Sequence, residues 1–354
     1  MNLLKRIIPD ERCNMVLLVW PSMYIENANW KQLLKIFHDV ISILLKNRNH
    51  VVLIISNIRD TKREIDNIRK KNKLEDLRKY LHVLEYNCDD IWIRDFGPQQ
   101  IEIDDKKSYF FYEYTFNAYG NKYPHNKDKS FTQFFFNHFI KTLDSQNSLL
   151  HEKPFHDLII EGGNIQSNNH GLIVCNKRCL LKNNNQSWHD IKPYFDKAII
   201  NNNIKQYLFF DLEPLNGDDT NGHLDNLLRL YKEDLLFYMS TDDIEHPDFY
   251  LLKELKNQLD VLNKKTFIID KMIPIKHTSE DILKDETGSI LPFSYLNYII
   301  TNNVVIFPTI KKNGALIKKK MLPFFENKNI FMVNVEGLLN EFGGLHCCSL
   351  NISY

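Results

Sequence analysis

The chain lacks the features that favour nucleic acid or a membrane as a partner. Its 45 basic and 45 acidic side chains cancel to a net charge of zero, and no basic stripe or polybasic block stands out. The longest apolar run, Met15–Trp20, is far too short to span a bilayer. The N-terminal residues contain no apolar stretch of signal-peptide length. We therefore predict a cytoplasmic protein that binds neither nucleic acid nor membranes.

Cysteine is also scarce, with six in 354 residues. In a reducing compartment most of them should be buried thiols. Cys175 and Cys179 are spaced as CxxxC, but no second matching pair would complete a zinc site. Cys347 and Cys348 are adjacent, so a disulfide between them would be strained. The cysteines thus indicate neither a disulfide framework nor a complete zinc site.

Apolar residues make up 43% of the chain, which is ample for one large domain or for two to three ordinary ones. No low-complexity linker divides it. Helical apolar spacing over Trp30–Lys46 predicts a helix, and the short apolar runs Met15–Trp20 and Val51–Ser56 predict buried strands. About five strand–strand–helix–strand units, each roughly 60–70 residues long, follow one another without short-period sequence repetition. The pattern predicts an α/β fold.

The remaining elements are predicted from the same patterns. Further helices are expected at Phe131–Leu143, Trp188–Phe195, Pro247–Leu262 and Gly314–Phe325. Further strands are expected at Leu81–Glu85, Ile101–Ile103, Tyr109–Tyr114, Leu158–Glu161, Leu172–Cys175, Tyr207–Phe210, Leu227–Leu230, Leu235–Met239, Thr266–Asp270, Val304–Pro308 and Ile330–Val335.

Four clusters of chemically active residues are predicted at strand ends or in the turns that follow. They occupy residues 92–98, 161–164, 218–225 and 343–349. Together they supply a thiol, histidines and several carboxylates. These groups suit covalent chemistry on a positively charged carbon, and their spread along the chain suggests loops that converge on one face.

The first cluster, Trp92–Pro98, has two interpretations. Asp95 could anchor a cation with Trp92 as a pocket wall, because a carboxylate matches the planar donors of a guanidinium bidentately. Alternatively, the segment is a strand end in which Arg94 and Asp95 form a structural ion pair.

The second cluster centres on Glu161. A strand end could deliver this carboxylate into a cleft, while Gly162 and Gly163 let the backbone pass close by. The alternative is a tight turn with an exposed acid.

The third cluster holds His223 and Asp225, which share one face if the segment is extended. Histidine is the natural proton shuttle near neutral pH, and Asp218 and Asp219 add negative charge nearby. The alternatives are a surface histidine or a zinc site, for which His-x-Asp supplies only two ligands.

The last cluster follows Gly343-Gly344, whose backbone freedom a simple core segment would not need. His346, Cys347 and Cys348 are either buried structural residues or contain a reactive thiol. A reactive thiol needs a pKa below its ordinary value of about 8.5, which a cationic environment provides.

These four clusters, in this order, resemble the agmatine deiminase family, which is related to the bacterial-type peptidylarginine deiminases. The family patterns are W-x-R-D-x-G-P, E-G-G-x-I, D-D-T-x-x-H-x-D and G-x-x-H-C-x-T, with Ser349 in place of the final Thr. Similar family segments occur at residues 20–21, 116–124 and 291–295. The resemblance therefore extends from about residue 15 to the end of the sequence.

The resemblance implies one catalytic domain over residues 1–354. Its fold would be the pentein fold, a five-bladed β/α-propeller of ββαβ-like units with pseudo-fivefold symmetry. The chain departs from the family at a few positions. Tyr119 stands where Trp is frequent, Asn121 replaces Gly, Asn221 replaces Asp, and Cys348 adds a second thiol.

The resemblance also implies roles for the site residues. Cys347 would be the nucleophile and His223 the general acid and then base. Asp95 and Asp225 would grip the guanidinium, and Glu161 would orient His223 or complete the anionic cradle. The candidates for contacting the rest of the substrate are Trp92, Tyr119, Asp218 and Asp219. No metal or other cofactor is implied, because the substrate carries its own positive charge.

The implied reaction converts agmatine and water into N-carbamoylputrescine and ammonia through an S-alkylthiouronium adduct, as a step of putrescine synthesis. The alternatives are a deiminase of peptidyl-arginine or free arginine and a non-catalytic guanidinium-binding protein. A metal-binding protein built from His223, His346, Cys347 and Cys348 is a third alternative, and a papain-like protease is less favoured. The oligomeric state is left open, with a homodimer or homotetramer as candidates.

Overall fold

The computed structural model describes residues 5–71, 78–103, 108–143, 150–152, 158–195, 206–266, 269–310 and 314–353. Strands and helices alternate along these segments, so the predicted α/β class is confirmed. The chain divides into two compact units. The first unit consists of Met1–Pro9 and Asp95–Leu296, and the second of Asp10–Arg94 and Asn297–Tyr354.

The strands in the described residues are short, as is usual for small sheets. They are β1 Lys5–Ile7, β2 Met15–Val19, β3 His50–Ile55, β4 Leu81–Glu85, β5 Gln99–Ile103, β6 Ser108–Tyr112, β7 Leu150–Glu152, β8 Ile165–Ser167, β9 Leu172–Asn176, β10 Gln206–Phe210, β11 Leu228–Tyr231, β12 Leu235–Ser240, β13 Lys271–Lys276, β14 Leu283–Lys284, β15 Ile290–Leu291, β16 Ile299–Ile300, β17 Val304–Thr309, β18 Asn329–Asn334 and β19 Ser349–Ile352.

The α-helices are α1 Trp30–Lys46, α2 Ile58–Lys71, α3 Ile93–Phe96, α4 Ala118–Asn121, α5 Phe131–Phe135, α6 Lys141–Leu143, α7 Lys177–Asn184, α8 Trp188–Phe195, α9 Phe249–Thr266, α10 Gly314–Met321 and α11 Glu336–Leu339. A π-helix at Phe136–Ile140 joins α5 to α6. The 3₁₀ turns lie at Asp10–Arg12, Ser22–Tyr24, Arg78–Tyr80, Asp128–Ser130, Gly162–Asn164, Ser279–Asp281 and Leu322–Phe324. No helix in the described part of the chain is long and apolar enough to cross a bilayer.

Five sheets of the described residues repeat one arrangement, an antiparallel strand pair followed by a parallel strand. In the first unit these are β5–β6–β7, β8–β9–β10 and β11–β12–β13, with β1 added beside β5. In the second unit they are β16–β17–β18 and β19–β2–β3, with β4 added beside β3. Parallel strands require a long crossover connection, which the intervening helices supply. The predicted strand–strand–helix–strand units are therefore present.

Helix α1 shows how apolar spacing sets an element of the core. Its inward face buries Leu33, Phe37 and Leu44, among others, and its bounds are those predicted from the sequence. Strand β3 lies between two parallel neighbours and is buried along nearly its whole length. A strand covered on both faces reads as a continuous apolar run, which is why this one was predicted correctly.

Two predicted strands are wrong. At residues 158–161 the structure has only an isolated bridge between Ile159 and Thr115. The backbone N–H and C=O of Ile159 instead bond to the side-chain amide of Asn184, at 2.8 and 2.9 Å, which takes the place of a ladder. The strand predicted at Thr266–Asp270 lies later, at β13, because α9 continues to Thr266. Residues 267 and 268 lie outside the described residues.

Candidate active site

The candidate residues occupy a recurrent position, the turn that leads into the first strand of a repeated sheet. Asp95 precedes β5, Glu161 precedes β8, Asp225 precedes β11 and Cys347 precedes β19. The sequence prediction placed these clusters after strands, and the structure corrects this. The backbone of such a turn is not paired with a neighbouring strand, so the side chains of the turn need not point to either face of the sheet.

In the first unit, the imidazole of His223 is flanked by two carboxylates. Its Nε2 lies 2.8 Å from Oε2 of Glu161, and its Nδ1 lies 3.6 Å from Oδ1 of Asp95. All three side chains are buried. The predicted alternatives of a surface histidine and an exposed acid are therefore wrong for His223 and Glu161.

The pKa values of this cluster are shifted upwards. Burial opposes a charge on His223, but Asp95, Cys179 and Glu161 outweigh it and raise the His223 pKa well above its ordinary value. Burial likewise raises the pKa of Asp95 and of Glu161, although His223 acts in the opposite direction on both. Each of the three groups therefore holds its proton to a higher pH than the same group would in water.

Asp95 is held by a backbone and a side-chain donor. Its Oδ1 accepts from the N–H of Gly163 at 2.8 Å, and its Oδ2 accepts from the hydroxyl of Tyr119 at 2.9 Å. A Cβ atom at Gly163 would lie 2.5 Å from Nδ1 of His223 and 2.9 Å from Oδ1 of Asp95. The second glycine of the Glu-Gly-Gly segment is thus required for histidine and carboxylate to approach each other.

Glu161 is held by three donors from separate parts of the first unit. Besides His223, it accepts from the backbone N–H of Tyr119 at 3.2 Å and from the Asn183 amide at 2.7 Å. The Asn221 amide donates in turn to Oδ1 of Asn183 at 2.7 Å. The sequence predicted a loop tip at Asn183–Asn185, but Asn183 lies on α7, and it was not predicted as a site residue.

Tyr119 lies in a strained stretch of backbone. Ala118, Tyr119, Gly120 and Asn121 all have positive φ, which costs L-residues energy. The conformation is retained because the Tyr119 N–H and hydroxyl both bond to buried carboxylates. Tyr119 therefore contributes both a backbone and a hydroxyl donor to these carboxylates.

Asp218 and Asp219 have different surroundings. Both oxygens of Asp218 accept hydrogen bonds within its own loop, from Thr220 and from the N–H of Gly222. Asp219 is half-buried and accepts from the hydroxyl of Tyr123 at 2.8 Å, and burial raises its pKa. Asp218 thus shapes the loop before His223.

Asp225 is fully buried, and its backbone N–H donates to the carbonyl of Gly163 at 3.1 Å. His223 and Asp225 do not share a strand face, because the chain turns at Leu224, whose carbonyl accepts from the N–H groups of Leu227 and Leu228. The extended geometry on which a shared face depended is therefore not present, and both side chains are buried.

Glu161, Cys179 and His223 place three potential metal-ligand atoms within 4.8 Å of one another. Cys179 was not predicted at this site. Burial raises the pKa of its thiol to about 12, so a metal would have to displace a tightly held proton. The prediction that no metal is needed stays a prediction.

In the second unit, the thiol of Cys347 is buried and contacts a side-chain amide. Nδ2 of Asn297 lies 3.2 Å from its Sγ, and Oδ1 of Asn297 accepts from the N–H of His346 at 2.8 Å. Asn297 was missed because a neutral amide gives no signal of chemistry in the sequence.

The two glycines before His346 make room for neighbouring side chains. A Cβ atom at Gly343 would overlap the indole ring of Trp92, and one at Gly344 would overlap the Asn297 amide. Trp92 thus packs against the loop that carries Cys347.

Arg94 and His346 support the same loop from the protein interior. The guanidinium of Arg94 binds Asp10 bidentately, at 3.1 and 3.2 Å, and its Nε donates to the carbonyl of Ser349 at 2.9 Å. Nε2 of His346 lies 3.1 Å from Oδ2 of the same Asp10. The ion-pair partner of Arg94 is therefore Asp10, and the predicted pairing with Asp95 is corrected.

The second thiol of this loop, Cys348, contacts the carbonyl of Leu345 at 3.4 Å. Burial raises its pKa to about 12. A thiol in that state is a weak nucleophile near neutral pH.

A model of the Porphyromonas-type peptidyl-arginine deiminase family matches residues 9–352. The chain belongs to this family. Among curated members, "Putative agmatine deiminase 1" of Listeria monocytogenes is 27% identical over 300 residues, 77% of this chain and 78% of that protein. "Putative agmatine deiminase" of Mycoplasma capricolum is 26% identical over 360 residues, 93% of this chain and 90% of that protein.

Solved structures of this deiminase type have the same fold. A cysteine-to-serine variant of C. jejuni agmatine deiminase with substrate bound is 23% identical, with a TM-score of 0.82, over 99% of this chain and 96% of that one. Agmatine deiminase of Enterococcus faecalis is 20% identical, with a TM-score of 0.78, over 98% and 95%. The α/β fold is therefore of the pentein type that the resemblance implied.

Proposed function

We propose that this family member is an agmatine deiminase, a hydrolase that cleaves a C–N bond of a linear amidine. The observation that carries the proposal is the buried His223, whose two ring nitrogens face Glu161 and Asp95. Such an imidazole is kept protonated and can donate a proton to a leaving nitrogen. The names of the curated relatives support agmatine as the substrate.

In the proposed mechanism, Cys347 and His223 act on the same guanidinium carbon, whose nitrogens Asp95 and Asp225 bind. The Cys347 thiolate forms a C–S bond, the C–N bond breaks, and the proton of His223 passes to the departing nitrogen, which leaves as ammonia. His223 then takes a proton from water, and the hydroxide attacks the carbon. The C–S bond breaks and returns the thiolate, and the proton of the added hydroxyl passes to solvent, which leaves a neutral ureido product.

The carboxylates have a second use in this chemistry. Asp95 and Glu161 favour the positive charge of both the imidazolium and the guanidinium in a site from which burial excludes water. The substrate itself supplies the electrophile and its charge. We therefore propose that the reaction needs no metal or other cofactor.

Agmatine ends in a primary ammonium, which needs an anionic or aromatic partner. Of the predicted candidates, Asp219 keeps a partly exposed carboxylate, whereas Asp218 is engaged by its own loop. We propose Asp219, with Trp92 and Tyr119 as aromatic walls, for this role.

The finer predictions from the resemblance belong to the same proposal. They are a single domain, a five-bladed propeller built from the five repeated sheets, a cytoplasmic location and a role in putrescine synthesis. The repeated strand order supports the propeller.

A deiminase of peptidyl-arginine is the second candidate, which the description of the matched family favours. Ammonia release from agmatine, free arginine and a blocked arginine peptide would separate the alternatives. We expect agmatine to be turned over fastest, and a preference for the peptide would contradict the proposal.

The covalent step can be tested in the same preparation. Intact protein quenched in acid during turnover should carry a mass increment on Cys347. The increment and the ammonia should disappear in Cys347→Ala but persist in Cys348→Ala, which is the matched control. Ammonia release without any adduct would contradict the proposed covalent mechanism.

A further inference from the structure

The sulfur of Cys347 has a neighbour to which no role has been assigned. Asn297 reaches it from the turn before β16, with Nδ2 at 3.2 Å from Sγ. The site residues Asp95, Glu161 and Asp225 occupy the turns before β5, β8 and β11, and Cys347 that before β19. Asn297 therefore fills the equivalent turn of the remaining repeated sheet.

The orientation of the Asn297 amide follows from its other contact. Amide oxygen and nitrogen are distinguished only by their hydrogen-bond partners. Oδ1 lies 2.8 Å from the backbone N of His346, and a backbone N–H can only donate. The oxygen must face His346, so the NH₂ group must face the sulfur and act as its donor.

The surrounding structure fixes this geometry. Asn297 is only 2% exposed, so the cost of burying its amide is offset only if its donors and acceptors are satisfied. Gly344 leaves the space that the amide occupies, since a Cβ atom there would overlap Oδ1. The amide can therefore lie beside the sulfur only because residue 344 is a glycine.

A donor aimed at a sulfur favours its charged form, because a hydrogen bond to an anion is stronger than one to a neutral group. We propose that Asn297 is a further residue of the catalytic machinery, whose amide N–H positions the Cys347 sulfur and stabilises the attacking thiolate. The inference rests on the proposed function insofar as Cys347 is the nucleophile. It assigns the stabilisation of the thiolate to a neutral group, available before any substrate binds.

The direct test is the pH dependence of Cys347 alkylation by iodoacetamide, followed by mass spectrometry in a Cys348→Ala background. Asn297→Asp keeps the shape and the acceptor but replaces the donor with a negative charge. We expect the pH of half-maximal alkylation to rise by about one to two units, the equivalent of a hydrogen bond to a charged group. The same variant should lower kcat at pH 7 by about 10- to 100-fold, with a smaller change in KM.

Asn168→Asp is the matched control. Asn168 is also 2% exposed, accepts from two backbone N–H groups and donates to the carbonyl of Glu233. Its replacement removes a comparable buried donor far along the chain from Cys347. We expect lower thermal stability but an unchanged alkylation profile.

Two further variants keep the test decisive if Asn297→Asp does not fold. Asn297→Ala removes the donor without adding charge, and Gly344→Ala should push the amide away from the sulfur. Both should move the alkylation profile in the same direction as Asn297→Asp. A profile that coincides with wild type in every folded variant, whatever the loss of thermal stability, would overturn the proposal and leave Asn297 a structural residue.

The outcome is separable from that of the proposed function, because alkylation requires no substrate. A wild-type protein that releases no ammonia from agmatine, yet shows the alkylation shift in Asn297→Asp, would refute the proposed substrate and support the role of Asn297.

Discussion

The two units of the molecule surround their reactive groups in opposite ways. In the first, His223 faces the carboxylates of Glu161 and Asp95. In the second, Cys347 faces the neutral amide of Asn297. In the proposed mechanism His223 must hold a proton and is supported by charge, whereas the Cys347 thiol must lose one and is supported by a dipole. A carboxylate beside the thiol would have the opposite effect on it.

Both units nevertheless use glycine for the same purpose. Gly163 lets His223 and Asp95 come together, and Gly344 lets the Asn297 amide enter the loop of Cys347. In each case any Cβ atom would occupy the position of the functional group. The comparison teaches that close approach, and not loop flexibility, explains these glycines.

Glu161→Gln should have the largest effect on the first unit. Without this carboxylate the His223 pKa falls, so less imidazolium is present at neutral pH and proton donation weakens. We expect kcat to fall at least about a hundredfold, with the alkaline limb of the pH–rate profile moved to lower pH. An unchanged limb would show that Glu161 does not support the charge on His223.

The same change should alter stability in a pH-dependent way. The folded pKa of His223 exceeds its unfolded value, so its charge stabilises the fold below the unfolded pKa and ceases to do so as pH rises through the folded one. Glu161→Gln should therefore make the melting temperature fall less steeply as pH rises. Glu102→Gln is the matched control, since Glu102 is also buried but pairs with Arg6.

Gly163→Ala should have an intermediate effect. The added methyl lies 2.5 Å from Nδ1 of His223, so the imidazole must move. We expect a fall in kcat of about tenfold, as overpacking typically costs one to a few kcal/mol, with the alkylation profile of Cys347 unaltered. Gly337→Ala also meets a close neighbour, the Cβ of Gln32 at 2.9 Å, and should lower stability but not kcat.

Chelation should have the smallest effect. Glu161 and His223 already bond to each other, and Asn183 donates to Glu161. We expect dialysis against EDTA to leave the rate of ammonia release unchanged. A loss of activity restored by zinc would instead identify Glu161, Cys179 and His223 as a working metal site.

Sequence patterns predicted the elements whose apolar spacing is dense. Helix α1 was predicted to the residue, whereas α2 was missed because charged residues outnumber its apolar ones. Strand β13 was predicted too early in the chain, because its KMIPIK segment is only half-buried and begins and ends with lysine. Strand β19 was missed because it has only four residues, two of them polar, which is too short for a clear apolar pattern.

The candidate site was predictable only where its residues are chemically conspicuous. Asp95, Glu161 and His223 were named from the sequence, and His223 does lie against both carboxylates. Asn183 and Asn297 were not, because amides are abundant in this chain and carry no charge. Their importance comes from contacts between distant segments, which no local pattern reports.

The pairing of β19 with β2 has a consequence for how the protein is made. Ser349 pairs with Leu18 and Ile352 with Met15, so the strand beside Cys347 forms only when the two ends of the second unit meet. Contacts between residues so distant in sequence form slowly, because the chain between them must first be closed into a loop. We expect the loop of Cys347 to gain its structure late in folding. The order of folding would then keep a partly folded chain from placing the Cys347 thiol in its final surroundings.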